Sequence, residues 1–232
     1  MSDAKSINNV QAHILRRLFT QDGLRFAEIK DIHTPSDQFS YHLRQLQKLG
    51  LIEKSEDLSY RLTPVGKQQS ILLSPSSDRF IDQGFLAVRV VLTKLEDGVT
   101  YYLMRQRQLV PYKGQLETPG DKIMRGETVL EAAKRAVFEQ TGLTCDIKVL
   151  GLQHSQDIHN GQLMQDKYFF VCHAQNPIGQ LKKLCRNGKH IWLTYEQIQE
   201  SNSSIHGGLE ILNMLNNESF SFTENAFNVN DY

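Results

Sequence analysis

Apolar residues recur along this chain in two rhythms, and the change between them falls between Ser70 and Gly84. Before it, the period is helical. In INNVQAHILRRLF, Ile7, Val10, Ile14, Leu15 and Leu18 stand three and four apart, which predicts a first helix with one apolar face. RFAEIKDI, after Gly23, predicts a short second helix. HTPSDQFSYHLRQLQKLGLI predicts a third, with Ser36 as N-cap and Gly50 as its stop. On that helix Phe39, Leu43 and Leu46 share one side, and Tyr41, Arg44, Gln45 and Lys48 share another. LIEKSEDLSYRLTPVGKQ then reads as strand, polar turn, strand and a fourth helix begun near Pro64.

Beyond the change, alternation dominates. FLAVRVVLTKLEDGVTYYLMRQRQ holds two alternating runs around Glu96-Asp97-Gly98, a hairpin signal. LVPYKGQLETPGDKI leads into a helix with Leu130, Ala133, Val137 and Thr141 on one side and Gly142 as its stop. Strands are expected in CDIKVLGLQH and DKYFFVCHAQ, a strand and short helix in HIWLTYEQIQE, and a last helix in GGLEILNML. The fold class is α+β. Pro75 among serines in ILLSPSSDRFIDQG marks the boundary, giving a domain over 1–75, a linker over 76–84, a domain over 85–216 and a C-terminal tail over 217–232.

Composition narrows the function classes only locally. Of 232 residues, 40% are hydrophobic and 22% charged, which is enough apolar content for a core in each domain. Lys plus Arg number 26 against 26 Asp plus Glu, so no global field points to nucleic acid or to a solvating acidic tail. Through residue 77 the count is ten Lys plus Arg against eight Asp plus Glu, a weakly basic unit. Cys145, Cys172 and Cys185 are scattered without CxxC spacing, which argues against a disulfide framework or a zinc site. No apolar run approaches a bilayer span, and MSDAKSINNVQ lacks a secretory apolar segment; a cytoplasmic protein without membrane attachment is expected.

Two resemblances sharpen the reading. SDQFSYHLRQLQKLGLIEK followed by YRLTPVGK resembles the recognition helix and wing of ArsR- or MarR-like winged helix-turn-helix regulators, over roughly residues 6–72. The resemblance implies that the third helix enters the major groove of double-stranded DNA. Ser40, Tyr41, Arg44, Gln45 and Lys48 would then contact bases and phosphates, with Lys54 and Arg61 on the wing reaching the backbone, and a homodimer would pair two half-sites.

PGDKIMRGETVLEAAKRAVFEQTGL resembles the box of the Nudix superfamily, G-x5-E-x7-R-E-U-x-E-E-x-G-U with U aliphatic. Laid on it are Asp121, Glu127, Arg135, Ala136, Val137, Glu139, Gln140, Gly142 and Leu143, and six of the nine positions agree. KGQLETPG is similar to the family's lead-in and IWLTYEQI to its closing tryptophan strand and helix. The resemblance implies an α/β/α sandwich over residues 84–216 and divalent metals held by box glutamates against a pyrophosphate.

The three departures, Asp121, Ala136 and Gln140, fall on that chemistry. Magnesium is a hard cation that draws carboxylates, and here two are missing. Glu139, Glu127 and Asp121 are the residual metal candidates, and Glu127 and Glu139 the residual catalytic ones. Glu127 and Arg135 are placed to pair, and Asp121 is expected either to adopt the left-handed backbone usual for glycine or to act as a ligand. Arg105, Arg107, Lys113 and Glu117 would line the pocket and hold a nucleotide-derived or phosphorylated small molecule. Phe169, Phe170 and Trp192 read as core or as a stacking surface, while His154, His159 and His173 lack metal spacing.

The expectation is a ligand-responsive DNA-binding regulator with an impaired Nudix domain that requires no cofactor. Two alternatives stand beside it. One is a magnesium- or manganese-dependent pyrophosphohydrolase with an accessory winged helix; the other is a protein-interaction module.

Overall fold

The computed structural model describes residues 7–74, 77–201, 203 and 207–229, and the chain divides into two compact units, Met1–Asp82 and Gln83–Tyr232. The first unit runs α1 (Asn9–Thr20), α2 (Phe26–Ile29), α3 (Ser36–Lys48), β1 (Ile52–Lys54), β2 (Tyr60–Leu62) and α4 (Pro64–Ser70). A reciprocal cap starts α1: the Gln11 amide donates to Asn8 Oδ1 at 3.0 Å, and the Asn8 amide to Gln11 Oε1 at 3.1 Å. Thr63 caps α4 through the Gly66 amide, with Pro64 at the first helical position, where its missing N–H costs nothing.

The helical periodicity places Ile14, Leu15, Phe39, Leu43 and Leu46 in one buried cluster with Leu24, Ile29 and Ile52. Gly66 lies so close to β1 that a Cβ there would stand 1.8 Å from the Leu51 carbonyl oxygen. Ser36 is not the N-cap of α3. Pro35 holds that position with extended ψ, so Ser36 is already helical and its carbonyl accepts from Ser40 Oγ at 2.7 Å. The segment expected as a linker is also tied to this unit. Asp78 accepts hydrogen bonds from Arg16 and His13 of α1, and Phe80 bridges to Leu73. The boundary drawn at 75 and 76 lies outside the described residues.

The second unit runs β3 (Phe85–Glu96), β4 (Val99–Arg107), β5 (Leu116–Glu117), β6 (Gly120–Lys122), α5 (Val129–Thr141), β7 (Thr144–His159) and β8 (Gln162–Ile178). It continues with β9 (Leu184–Cys185), β10 (Gly188–Leu193), α6 (Tyr195–Glu200), α7 (Gly208–Asn213) and β11 (Ser221–Asn228). The strands form one mixed sheet in the order β11-β7-β8-β3-β4-β10-β9, with β5 on β4 and β6 on β3. Asp97 and Gly98, both at positive φ, make the tight turn between β3 and β4. Asn160 and Gly161 do the same between β7 and β8.

Alternation on β3 explains the layers. Val88, Val90 and Leu92 pack under α5 with Ala132, Ala133, Ala136 and Val137, while Val91 joins Met104, Ile198, Ile211 and Leu212 under α6 and α7. Within α5, Ala133, Val137 and Thr141 are buried as expected, but Leu130 is 41% exposed; the apolar stripe continues through Ala132 and Ala136 instead. Gly142, at φ 76°, closes the helix by donating to the Phe138 carbonyl.

The expected C-terminal tail is corrected by the structure. Residues 221–228 form β11, paired in parallel with 151–158 of β7. Glu224 and Asn225 reach His154 and Glu210, so side chains as well as backbone anchor it. No helix among the described residues is long and apolar enough to cross a membrane.

Candidate functional site

A cleft of about 350 Å3 opens in the second unit where β3, β4, β6 and β8 present their side chains. Its charged lining consists of Arg89, Arg105, Arg107, Lys122 and Lys167 against Glu117 and Asp121. Five cations over two carboxylates make it an anion-attracting concavity.

The pairing of β4 with β5 sets Arg105 opposite Glu117. Glu117 Oε1 accepts from Arg105 Nε at 3.0 Å, from Arg105 Nη2 at 2.7 Å and from Arg107 Nη1 at 3.2 Å. Arg107 Nε also donates to the Leu109 and Pro111 carbonyls. Three of the four residues expected to bind a ligand, Arg105, Arg107 and Glu117, thus line the cleft together. Lys113 does not: it is exposed and outside the lining, and its neighbour Tyr112, held at φ 69°, turns inward instead.

The box helix meets this network through Gln140. Arg105 Nη1 donates to Gln140 Oε1 at 2.8 Å, and Gln140 Nε2 donates to the Gly120 carbonyl at 2.7 Å. A carboxylate could accept the first bond but could not donate the second. Gly120 fits only without a side chain, since a Cβ would lie 2.3 Å from the Val88 carbonyl oxygen.

Arg135 organises the remaining box residues. Its Nε donates to Glu127 Oε1 at 2.6 Å and its Nη2 to Glu127 Oε2 at 3.0 Å, so the expected pair forms and is bidentate. Its Nη1 donates to Asp121 Oδ2 at 2.7 Å. These bonds hold the Arg135 pKa above its ordinary value. The Arg135 bond, with a second from the Met124 amide, holds Glu127 below the usual carboxylate range. Asp121 sits in strand β6 opposite Val88, so neither left-handed backbone nor a free carboxylate explains it.

The donor set does not fit a hard divalent cation. Asp121 Oδ1 accepts from the Lys122 amide and Oδ2 from Arg135. Both Glu127 oxygens are taken by Arg135 and the Met124 amide, and the Gln140 oxygen by Arg105. Glu139 remains, 59% exposed and 3.6 Å from Arg135. Ala136, where the family places a glutamate, is fully buried. Among the described residues no three His, Cys, Asp or Glu side chains form a group able to hold a metal ion.

Residues not singled out in the sequence complete the cleft. Asp157, 1% exposed, accepts from both Tyr112 Oη and Lys167 Nζ in its wall. Burial pushes the Lys167 pKa down, and Asp157 opposes it. Arg89 lies 4.2 Å over the Phe169 ring and donates to Gln153 Oε1 at 3.1 Å. Phe169 is therefore a cation platform in the cleft, whereas Phe170 and Trp192 pack in the core under α5. The DNA-contact candidates belong to the first unit. There Tyr41, Arg44 and Lys48 are exposed on α3, Ser40 and Gln45 are half-buried, and Lys54 and Arg61 are exposed on the β1–β2 hairpin.

Comparison with known proteins bears on the second unit. The MutT protein of Bacillus halodurans shares 20% identity over 62% of this chain and 90% of its own, with a TM-score of 0.51. The NUDIX domain of Shewanella oneidensis NrtR, solved with ADP ribose, shares 16% over 59% and 88%, at 0.49. A MutT NUDIX hydrolase of Burkholderia pseudomallei shares 20% over 58% and 99%, also at 0.49. No curated protein matches the chain by sequence. The family model for the NUDIX domain matches residues 85–209, more than half of the chain and the whole path from β3 into α7, and on that match the chain belongs to the NUDIX family.

Proposed function

We propose that this protein is a ligand-responsive DNA-binding regulator whose NUDIX unit binds a nucleotide-derived or phosphorylated small molecule without serving as a metal-dependent hydrolase. One observation carries the reading. The side-chain oxygens that the box would offer a cation are, Glu139 apart, engaged by a guanidinium or a backbone amide. The cationic cleft beside them still attracts a phosphorylated anion. The NUDIX box is degenerate on this reading: Ala136 and Gln140 stand where carboxylates would raise metal affinity, and both are committed to packing or to Gly120.

The first unit supports the other half. Its order, three helices, a hairpin and a helix, is that of a winged helix-turn-helix, and the exposed side of α3 carries Tyr41, Arg44 and Lys48. As a homodimer it would present two such helices to successive major grooves, which gives the affinity a single short helix lacks.

Two experiments test the reading. Incubation with magnesium or manganese and a panel of nucleoside diphosphate derivatives is expected to give no turnover above a heat-inactivated control. Turnover abolished by Glu139→Gln would replace this proposal with a hydrolase. Selection from a random DNA duplex library is expected to yield a specific complex that weakens with salt as counterions are released. A complex unchanged by Arg44→Ala together with Lys48→Ala would remove α3 from the interface.

A further inference from the structure

The cations of the cleft are not equivalent. Arg105 and Arg107 share one carboxylate, Glu117, and Lys167 pairs with Asp157. Among the described residues, Arg89 and Lys122 have no carboxylate partner within ion-pair distance. Arg89 bonds the neutral Gln153 side chain and lies on Phe169, and Lys122 Nζ stands 4.8 Å over the Phe85 ring. Each ring supports a cation through its negative face without discharging it.

Gln153 fixes the guanidinium from behind. It is fully buried on β7, accepts from Arg89 Nη1 and donates from Nε2 to the Gly207 carbonyl at 3.1 Å. Only one Arg89 donor is used there, which leaves others for a ligand. A third group points the same way. Thr118 lines the cleft, is 6% exposed, and its Oγ1 has no hydrogen-bond partner among the described residues. A buried hydroxyl without a partner is unfavourable unless a ligand or water satisfies it.

The rings also restrict the ligand. Phe169 is 9% exposed with one face under Arg89, and it meets Phe85 edge-on at 6.3 Å, with Phe85 itself under Lys122. A cation thus already occupies a face of each of these two rings, which reduces the area open to a stacking base.

We infer that Arg89, Lys122 and Thr118 form a phosphoryl subsite in the cleft, independent of any box metal, that takes the phosphate or diphosphate of its ligand and leaves any base outside. The assignment rests on the cleft being a ligand site, as proposed above, and adds which of its residues hold the anion. Arg105 and Arg107 are held in the wall by Glu117, whereas Arg89 and Lys122 supply charge that no carboxylate shares.

The test is calorimetric titration of the full chain with inorganic pyrophosphate in EDTA, with malonate as a dianion that lacks phosphorus. Wild type is expected to bind pyrophosphate and to prefer it clearly over malonate. Arg89→Gln should weaken pyrophosphate roughly tenfold or more, and Lys122→Gln and Thr118→Val by several-fold each. Lys122 is exposed, so its variant folds even if that of Arg89 does not. Equal binding of malonate overturns the phosphoryl assignment. Pyrophosphate or a nucleoside diphosphate bound with unchanged affinity by Lys122→Gln and by folded Arg89→Gln also overturns the subsite, while leaving the cleft as a ligand site. Failure of wild type to bind pyrophosphate or any nucleoside diphosphate removes both.

Discussion

Gln140→Glu restores the residue the NUDIX box carries at this position, and the structure predicts that it destabilises the protein. In the wild type Gln140 donates to the Gly120 carbonyl at 2.7 Å and accepts from Arg105 at 2.8 Å. The substitution removes the donor and sets a carboxylate oxygen against the carbonyl. An acceptor left without its partner costs about 1–3 kcal/mol. The Arg105 bond becomes charge-assisted, a gain of about 1 kcal/mol, limited because Arg105 already shares its charge with Glu117. The net loss is about 0–2 kcal/mol, centred near 1, or a fall in Tm of roughly 2–4 °C at that midpoint. The pH dependence has a definite sign. A carboxyl facing a carbonyl has its folded pKa raised above the unfolded value of about 4.3, so the loss is full above the folded pKa and vanishes as pH falls through the unfolded one. The assay is thermal unfolding of wild type and variant at pH 7.5 and pH 4, each with and without magnesium. A variant as stable as wild type at pH 7.5 in EDTA would refute the clamp. So would one that magnesium stabilises by several degrees, because the introduced carboxyl would then be serving a cation.

Other predictions follow from close contacts and buried histidines. Gly66→Ala places a Cβ 1.8 Å from the Leu51 oxygen and should cost about 3 kcal/mol or more; the helical circular dichroism of the first unit should melt early, while fluorescence of the single tryptophan, Trp192 in the second unit, keeps its midpoint. Gly151→Ala would put a Cβ 2.2 Å from the Ser221 oxygen, so amide exchange at residues 221–228 should accelerate; unchanged protection there would contradict the parallel pairing. Burial opposes protonation of His154, but bonds to Glu224 and Asp166 outweigh it and raise its pKa above 6.5. Its contribution is therefore full below that value and lost as pH rises through the folded pKa, and His154→Gln should abolish that loss in denaturant midpoints. Burial, with Lys148 nearby, lowers His173 to about 4, so the second unit should also lose stability as pH falls from 6.5 toward 4, and His173→Gln should flatten that limb.

Local signals in the sequence were the ones that could be read. Asp97-Gly98 needs positive φ at both positions and announced its hairpin; Gly142 announced the end of α5 for the same reason. The places of Glu127 and Arg135 in the box resemblance had suggested that they pair across the loop and helix, as they do. Asn160-Gly161 carried the same signal as Asp97-Gly98 and would have extended β7 and β8 to their full lengths. Non-local features left weaker traces. β11 has phenylalanines of both parities, Phe222 and Phe227, so no alternation marks it, and its partner strand lies 70 residues earlier. Arg89 reads as one charge inside an apolar run; only pairing β3 with β8 sets it on Phe169. Gln140 looked like a lost carboxylate, and its second role, donating to Gly120, depends on a backbone 20 residues away.

The position of β11 at the outer edge of the sheet also sets an order of assembly during synthesis. The first unit closes on residues up to 82, so a nascent chain holds all of its core while the second is still being made. The second cannot complete its edge, or engage His154 through Glu224, until the ribosome has passed Asn228 and released that stretch from its tunnel. Until then the edge of β7 that β11 will occupy stands open to whatever chain is nearby.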